Sequence, residues 1–203
     1  MANALAAYWL LQAWGDDPDS FDDALKGAVA GFLGGDRSVS AAEFEERLWS
    51  FDRWSYAVPT TPPAVVLDTR TQRSYHSERG AARLIGPGEQ RRVLRLAREA
   101  RAAGRGDPHS PLILISAVPV YGLELQERRQ KFLADKVGPY EIDFEAWHAN
   151  LQGLVDFMRM VAEGLSPTWC LLLSDDVHYG CNVQAGFRLE GRSLPLCSWC
   201  PAR

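Results

Sequence analysis

The sequence lacks a long apolar segment and is poor in several residue types. Among 203 residues there are only four cysteines, four histidines and three methionines. No apolar run approaches the roughly 18 residues that a membrane-spanning helix needs, so no membrane span is predicted. The net charge of −4 argues against nucleic acid as a partner. What remains is the composition of one ordinary globular domain.

Several functional motifs are also missing. There is no glycine-rich phosphate loop, no G-x-S-x-G segment and no internal repeat. The apolar segment 2–14 has no preceding basic residues, which favours a buried helix over a signal peptide. We therefore expect a cytoplasmic protein whose cysteines are thiols rather than a disulfide framework.

The hydrophobic pattern predicts an α/β protein with a helical N-terminal segment. A helical part, 1–50, precedes a sheet-and-helix part, 51–203, within a single domain. The predicted helices cover 2–14, about 20–33, 41–49, 88–103, 123–133 and 143–163. The predicted strands cover 54–59, 63–68, 111–116, 168–174, 178–189 and 193–198.

Local signals refine three of the helices. Ser40, with Glu43 three residues later, predicts a capping box. Asp143 is predicted to cap the helix 143–163, whose apolar stripe is Leu151, Leu154, Phe157, Met158 and Val161. The arginines between 91 and 105 have helical spacing and predict a solvated helix face rather than a binding surface.

The strongest candidate site follows the predicted strand 168–174. Asp175, Asp176 and His178 stand directly after its apolar run. Carboxylate and imidazole donors at the carboxyl end of a buried strand are typical of metal and phosphate sites in α/β proteins. The alternative is a polar turn in which Asp176 acts as a cap and His178 makes a structural hydrogen bond.

A second candidate follows the strand 63–68. Asp68 and Arg70 are placed to contact a phosphate or a neighbouring loop. The alternative is an Asp–Arg pair that only holds the turn together.

Three other patterns are weaker. Asp107–His109 and the segment 15–19 have metallophosphoesterase spacing, but neither follows a predicted strand, so both are interpreted as coincidental. Cys197 and Cys200 have CxxC spacing and, with Cys170 and Cys181, would suit structural zinc. Cys170 lies inside a predicted strand, however, where it should pack as a small hydrophobe.

An ordered set of segments resembles the PhoD-like alkaline phosphatases, which are calcineurin-like metallophosphoesterases. The segments are 4–15, Val66-Leu67-Asp68-Thr69-Arg70, 84–90, 116–119, Asp143-Phe144-Glu145-Ala146-Trp147 and 173–180. The resemblance implies a calcineurin-like sandwich with a mixed sheet and flanking helices. It also implies hydrolysis of phosphoesters by metal ions, with Fe, Zn, Mn or Ca all compatible with Asp and His ligands.

Residue by residue, the resemblance transfers only a small part of a metal site. Asp176 and His178 match the family's Ser-Gly-Asp-Val-His pattern and are implied as catalytic, metal-associated residues, with Asp175 as an added metal ligand. Asp68 and Arg70 match a motif with a supporting role. Asp175 replaces a glycine of the family, and Val118 replaces its usual threonine.

The chain resembles only the C-terminal portion of such a domain. The family's other metal ligands precede the segment that resembles 4–15, so the site is expected to be incomplete here. Three hypotheses follow: a PhoD-like hydrolase, a non-catalytic truncated form or pseudoenzyme that needs an N-terminal partner, or a metal- and phosphate-binding module. Uncovered apolar strand faces and a sheet edge would then favour self-association or binding of that partner.

Overall fold

A computed structural model describes residues 2–15, 23–35, 40–51, 53–75, 81–104, 107, 109–121, 147–174, 180–189 and 191–201. The chain divides into two compact units, Met1–Trp54 and Ser55–Arg203. No helix in the described ranges is both long and apolar enough to cross a membrane.

The first unit is helical. Helix α1, Ala2–Tyr8, continues as a wider π-helical segment, Trp9–Trp14. Helix α2 is Asp23–Leu33 and α3 is Ala41–Ser50. Their buried side chains form an aromatic-rich core, in which Phe32 and Phe44 stack with ring centroids 4.1 Å apart. The predicted helical N-terminal segment is therefore confirmed.

The capping-box prediction in this unit is confirmed for Ser40 but not for Glu43. The Ser40 hydroxyl accepts a hydrogen bond from the amide of Glu43 at 3.1 Å, as a capping serine should. The Glu43 carboxylate binds Arg47 at 2.9 Å rather than returning to the cap. Helix α2 ends at two glycines, and Gly35 adopts a φ of +75° that glycine tolerates best.

The second unit combines a sheet with helices. Its elements, in chain order, are β1 Tyr56–Val58, β2 Ala64–Leu67, α4 Pro87–Ala103, β3 Leu112–Ser116, a 3₁₀ turn Trp147–Asn150, α5 Leu151–Arg159 with a π-helical continuation Met160–Leu165, β4 Cys170–Ser174, β5 Cys181–Leu189 and β6 Arg192–Cys200. The mixed α/β class and the flanking helices are thus confirmed.

The six strands form one mixed sheet in the order β1-β2-β3-β4-β6-β5. Strands β2, β3, β4 and β6 are parallel, whereas β1 and β5 are antiparallel to their neighbours. The central strands have short apolar sequences, as expected for parallel strands that are buried between neighbours. The hairpin between β5 and β6 turns at Gly191, whose φ is +83°.

Helices α4 and α5 pack on the same face of this sheet. Val93 and Ala97 from α4 and Phe157 from α5 share one core with the alternate residues of the strands. The strand residues of that core include Val65, Leu67, Leu112, Leu114, Cys170, Leu172, Leu194 and Leu196. Since side chains alternate along a strand, the residues between them point to the opposite face.

Part of that opposite face carries apolar side chains that are not fully buried. Matched by the strand register, they are Val66, Ile113, Ile115, Leu171, Leu173 and Trp199. The first five are half-buried, and Trp199 is 48% exposed. We call these six residues the open face.

The structure corrects the prediction for the helix 143–163. Its first residues, 143–146, including the predicted cap Asp143, lie outside the described residues. Residues Trp147–Asn150 form a 3₁₀ turn, and the α-helix begins at Leu151 with Asn150 as its cap. The Asn150 side chain accepts the amide of Gly153 at 2.8 Å, which explains why the helix starts there. Leu151 is 58% exposed and does not belong to the apolar stripe.

Two smaller corrections concern exposure. Trp169, predicted inside a buried strand, precedes β4 and is 40% exposed. Arg101, predicted on a solvated helix face, is buried. Its guanidinium donates to the carbonyl oxygens of Leu165 at 2.7 Å and Ser110 at 2.8 Å. These two bonds replace the water that a solvated arginine would have bound.

Candidate functional site

Three parallel strands end together at one edge of the sheet. Leu67 of β2 is in register with Ser116 of β3, and Ser116 is in register with Ser174 of β4. Asp68 continues β2 beyond this line, and residues 175–178 continue β4 in sequence. Asp68 therefore follows the carboxyl end of β2, and the undescribed segment 175–178 comes after the carboxyl end of β4 in the sequence, with β3 between the two strands. Ligands of α/β proteins bind outside the carboxyl ends of strands. We call this the carboxyl edge.

Asp68 organises the turn that leaves β2. One carboxylate oxygen accepts the amides of Arg70 at 2.9 Å and Thr71 at 2.8 Å, and the other accepts the Thr71 hydroxyl. The Asp68 amide in turn donates to the hydroxyl of Ser55 at 2.8 Å. Since these bonds occupy the buried carboxylate, it supports the edge rather than offering a ligand to it.

Arg70 is exposed at this turn, with its backbone held by Asp68. Its side chain therefore lies on the solvent side of the carboxyl edge. The sequence placed both residues at the end of β2, and the structure does so too. The structure also shows that the Asp68 carboxylate accepts backbone amides of the turn, a role that the sequence spacing alone did not specify.

Ser116 connects the end of β3 to the beginning of the α5 segment. Its hydroxyl donates to the carbonyl oxygen of Val118 at 2.5 Å and accepts the amide of Val118 at 3.2 Å. The indole nitrogen of buried Trp147 donates to the same hydroxyl at 3.3 Å. The amino end of the α5 segment is thereby held at the carboxyl edge.

Two hydroxyl side chains at this edge are deeply buried. Ser174, 4% exposed, ends β4, and Thr69, 1% exposed, follows Asp68. Neither side-chain oxygen has a hydrogen-bond partner within the described parts of the chain. Because an unsatisfied buried hydroxyl is costly, such a group is a position where a ligand or an ordered water would be stabilising.

The amino end of α4 also starts close to the β2 turn. The amide of Gly86, which caps α4, donates to the carbonyl oxygen of Gln72 at 3.2 Å. Glu89 in the first helical turn is buried, and the partial positive charge of a helix amino end favours its carboxylate there. The sequence alone did not identify Glu89, Ser116 and Ser174 as residues near the carboxyl edge. The aligned ends of β3 and β4 are the feature that identifies the two serines.

The residues that carry the metal prediction lie outside this description. Asp175, Asp176 and His178 all fall in the segment 175–179, which the structure does not describe. Within the described ranges, no group of three or more His, Cys, Asp or Glu side chains is placed to hold a metal ion. Asp68 is occupied and the serine hydroxyls are weak ligands, so the described donors do not fit a metal centre by themselves.

The two weaker metal patterns have different outcomes. Asp107 accepts the amide of His109 at 2.8 Å in a local turn before β3, at the sheet end opposite the carboxyl edge. That position agrees with the interpretation of a coincidental motif. The segment 15–19 lies outside the described residues beyond Gly15.

The CxxC motif does not assemble a zinc site. Cys197 and Cys200 both lie in β6, and an odd spacing on a strand places their side chains on opposite faces. Cys200 is buried, whereas Cys197 is half-buried on the other face. Cys170 is fully buried in β4, as predicted for a small hydrophobe.

At the end of the sheet opposite the carboxyl edge, the buried guanidinium of Arg101 has a structural role. Desolvation by burial lowers the pKa of Arg101, while the neighbouring Cys170 and Asp107 partly oppose that shift. Burial also raises the pKa of the Cys170 thiol to about 12. A cavity of about 370 Å³ lies near this end and is lined by His109, Ala162, Ser166, Pro167, Ser193 and Leu194. Neither Asp68 nor Arg70 lines it.

Comparison of the chain with protein-family models, with curated proteins and with solved structures finds no match.

Proposed function

We propose that the carboxyl edge is part of a metal-dependent phosphoesterase site of the PhoD-like, calcineurin-like type. The observation that carries this proposal is the in-register alignment of Leu67, Ser116 and Ser174. This alignment brings the Asp68 turn and Ser174, which the Asp175–His178 segment follows in the sequence, to one edge of one sheet. The substrate class is a phosphoester, and the calcineurin-like sandwich is the proposed fold.

In this proposal the described residues position and bind rather than react. Arg70 is placed to attract a phosphoryl group from the solvent side. The hydroxyls of Ser174 and Thr69 are available to a phosphoryl oxygen or a bound water, because neither has a partner in the described structure. Asp68 keeps the β2 turn in the shape that presents Arg70.

Asp175, Asp176 and His178 are the residues that would hold a metal ion, with Fe, Zn, Mn or Ca as candidates. Such an ion would polarise a phosphoryl oxygen and lower the pKa of bound water. His178 would act as a neutral imidazole ligand, and Asp176 would bind or orient it.

The test is metal content and hydrolysis measured together on the purified 203-residue protein. Elemental analysis should find bound metal that His178→Ala removes and His109→Ala retains, since His109 lies at the opposite end of β3. Activity on bis(4-nitrophenyl) phosphate should follow the metal. Metal without turnover would instead support a binding module, and absence of metal at every tested ion would overturn the proposal.

The open face favours a second function, in which the chain is a non-catalytic portion that needs a partner polypeptide. Its six residues carry no charge and form regular rows on a sheet, which is the surface that packs against another sheet in sandwiches. The partner proposed here is an N-terminal polypeptide that supplies this second apolar layer and the remaining metal ligands.

Light scattering and dye binding test this second function. The wild-type chain should bind an apolar fluorescent dye and self-associate when the partner is absent. Trp199→Asp should reduce both effects, whereas Leu151→Asp, on the exposed side of α5, should not. A monomer that binds no dye would contradict a partner-requiring face.

A further inference from the structure

Two cysteines face each other across the last pair of the β5–β6 hairpin. Cys181 begins β5 and Cys200 ends β6, and the strand register pairs them directly. Paired residues on antiparallel strands point to the same face of the sheet. Cys200 is buried and Cys181 is half-buried, so one thiol of the pair is open to a reagent.

The geometry of this pair suits a disulfide. Directly opposed residues on antiparallel strands have Cα atoms about 4.5 or 5.5 Å apart, depending on the hydrogen-bonding position. Disulfide-linked residues have Cα separations of about 4.4–6.8 Å, so both values are compatible. Their Cβ atoms need to approach each other by only about 1 Å.

The other two cysteines have no such arrangement. Cys197 is paired with Gln184 on β5 and with Leu171 on β4. Cys170 is paired with Leu112 on β3 and with Leu196 on β6, and it is fully buried. Of the four cysteines, Cys181 and Cys200 thus face each other, and Cys170 and Cys197 serve as controls in the experiment below.

We propose that Cys181 and Cys200 are a reversible redox site, which forms a disulfide by exchange with a low-molecular-weight disulfide. The Cys181 thiolate attacks one sulfur of the oxidant, forms a mixed disulfide and releases the first thiolate. The Cys200 thiolate then attacks the Cys181 sulfur and releases the second. The protein loses two protons and two electrons, and the small disulfide is reduced to two thiols.

The bond would tie the start of β5 to the end of β6. Only Gly180 separates Cys181 from the segment 175–179 in the sequence, so oxidation fixes the start of β5 close to that segment along the chain. It also closes a chain loop through the hairpin, which restricts the unfolded chain and raises the unfolding temperature. This site does not depend on a metal, so its test is independent of the proposed hydrolase function.

The test uses the full chain, reduced and then equilibrated in graded ratios of oxidised to reduced glutathione. Remaining thiols are alkylated and the peptides are mapped by mass spectrometry. We expect a Cys181–Cys200 link that dithiothreitol reverses, while Cys170 remains a thiol and shows that the protein stayed folded. Cys197→Ala should form the same link, and Cys200→Ala should leave Cys181 as a glutathione mixed disulfide.

The half-buried Cys197 is an internal control that shows whether the oxidant reacts with an accessible thiol of this protein. If Cys197 becomes glutathionylated while Cys181 and Cys200 both remain alkylatable thiols, the proposal is wrong. A link between any other pair of cysteines would overturn it as well. The wild-type map needs no substitution, so the result does not depend on whether a variant folds.

Discussion

Ser116 and Ser174 are in register as the last residues of β3 and β4, yet only Ser116 has its hydroxyl hydrogen-bonded within the described structure. Both side chains are buried on the helix-covered face. The two positions therefore form a matched pair of buried serines. The hydroxyl of Ser116 has a structural role, whereas that of Ser174 has no hydrogen-bond partner in the described structure.

Substituting each serine by alanine should separate these roles. Ser116→Ala should lower the free energy of unfolding by about 1–3 kcal/mol, because it leaves Trp147 Nε1 and the Val118 amide without an acceptor. Ser174→Ala should change it by less than about 1 kcal/mol, because no hydrogen bond of the described structure is lost. Urea denaturation measures both values. An equal loss for the two variants would mean that the Ser174 hydroxyl has a partner.

The Asp68 turn gives a second prediction. Asp68→Ala should lower the free energy of unfolding by about 2–4 kcal/mol, since the amides of Arg70 and Thr71 lose a charged acceptor. Asp68→Asn keeps an acceptor oxygen and should cost less. Thr71→Val removes only the hydroxyl donor and serves as the control. Thermal unfolding would contradict the assignment if the alanine and valine variants were equally stable.

Arg101 gives a third prediction, with Arg98 as its control on the same helix. Arg101→Met should lower the free energy of unfolding by about 2–4 kcal/mol, because the carbonyl oxygens of Leu165 and Ser110 lose a charged donor. Arg98 is exposed and donates to the Gly164 carbonyl oxygen at 3.0 Å. Arg98→Met should cost less than about 1 kcal/mol, since water replaces the guanidinium. Equal decreases in the denaturant midpoint for Arg101→Met and Arg98→Met would contradict the prediction that the buried arginine contributes more to stability.

Cys170 gives a fourth prediction through its pKa. Its folded-state pKa, about 12, lies above the ordinary value of 9.0, so the folded protein retains this proton more strongly than the unfolded chain. The resulting stabilisation is complete below pH 9 and is lost as the pH rises from about 9 towards 12. Cys170→Ala should flatten the stability–pH curve over that interval.

Alkylation at neutral pH provides an independent measurement on the same residue. Cys197 should react with iodoacetamide in the folded protein, whereas Cys170 should react only after unfolding, because it is buried and protonated. Modification of Cys170 at the rate of Cys197 would contradict both the burial and the raised pKa.

Much of the fold could be predicted from short-range patterns. The β2, β3 and β4 strands were visible as apolar runs, and Ser40 as a cap, because both signals reside in neighbouring residues. The start of α5 at Leu151 was missed. The α-helix begins there because Asn150 caps it, and the preceding 3₁₀ turn includes Trp147, which is hydrogen-bonded to Ser116 on a distant strand.

The candidate site was predictable only as segments. Sequence placed Asp68 and Arg70 after β2 and Asp175, Asp176 and His178 after β4. The sequence could not show that β3 lies between β2 and β4, because strand order is set by long-range packing. The burial of Arg101 was missed for the same reason, since its acceptors Leu165 and Ser110 come from distant segments. The roles of residues 175–178 stay predictions.

The order of the parallel strands has a consequence for how a ligand can be held. From β2 through β3 and β4 to β6, the chain advances across the sheet in one direction. Right-handed crossovers place successive helices of such a run on the same side, as observed for α4 and α5. A doubly wound sheet reverses this order and opens a crevice at the topological switch point, where loops diverge to both sides. The described sheet has no reversal among its parallel strands, so no crevice of that kind is expected at its carboxyl edge.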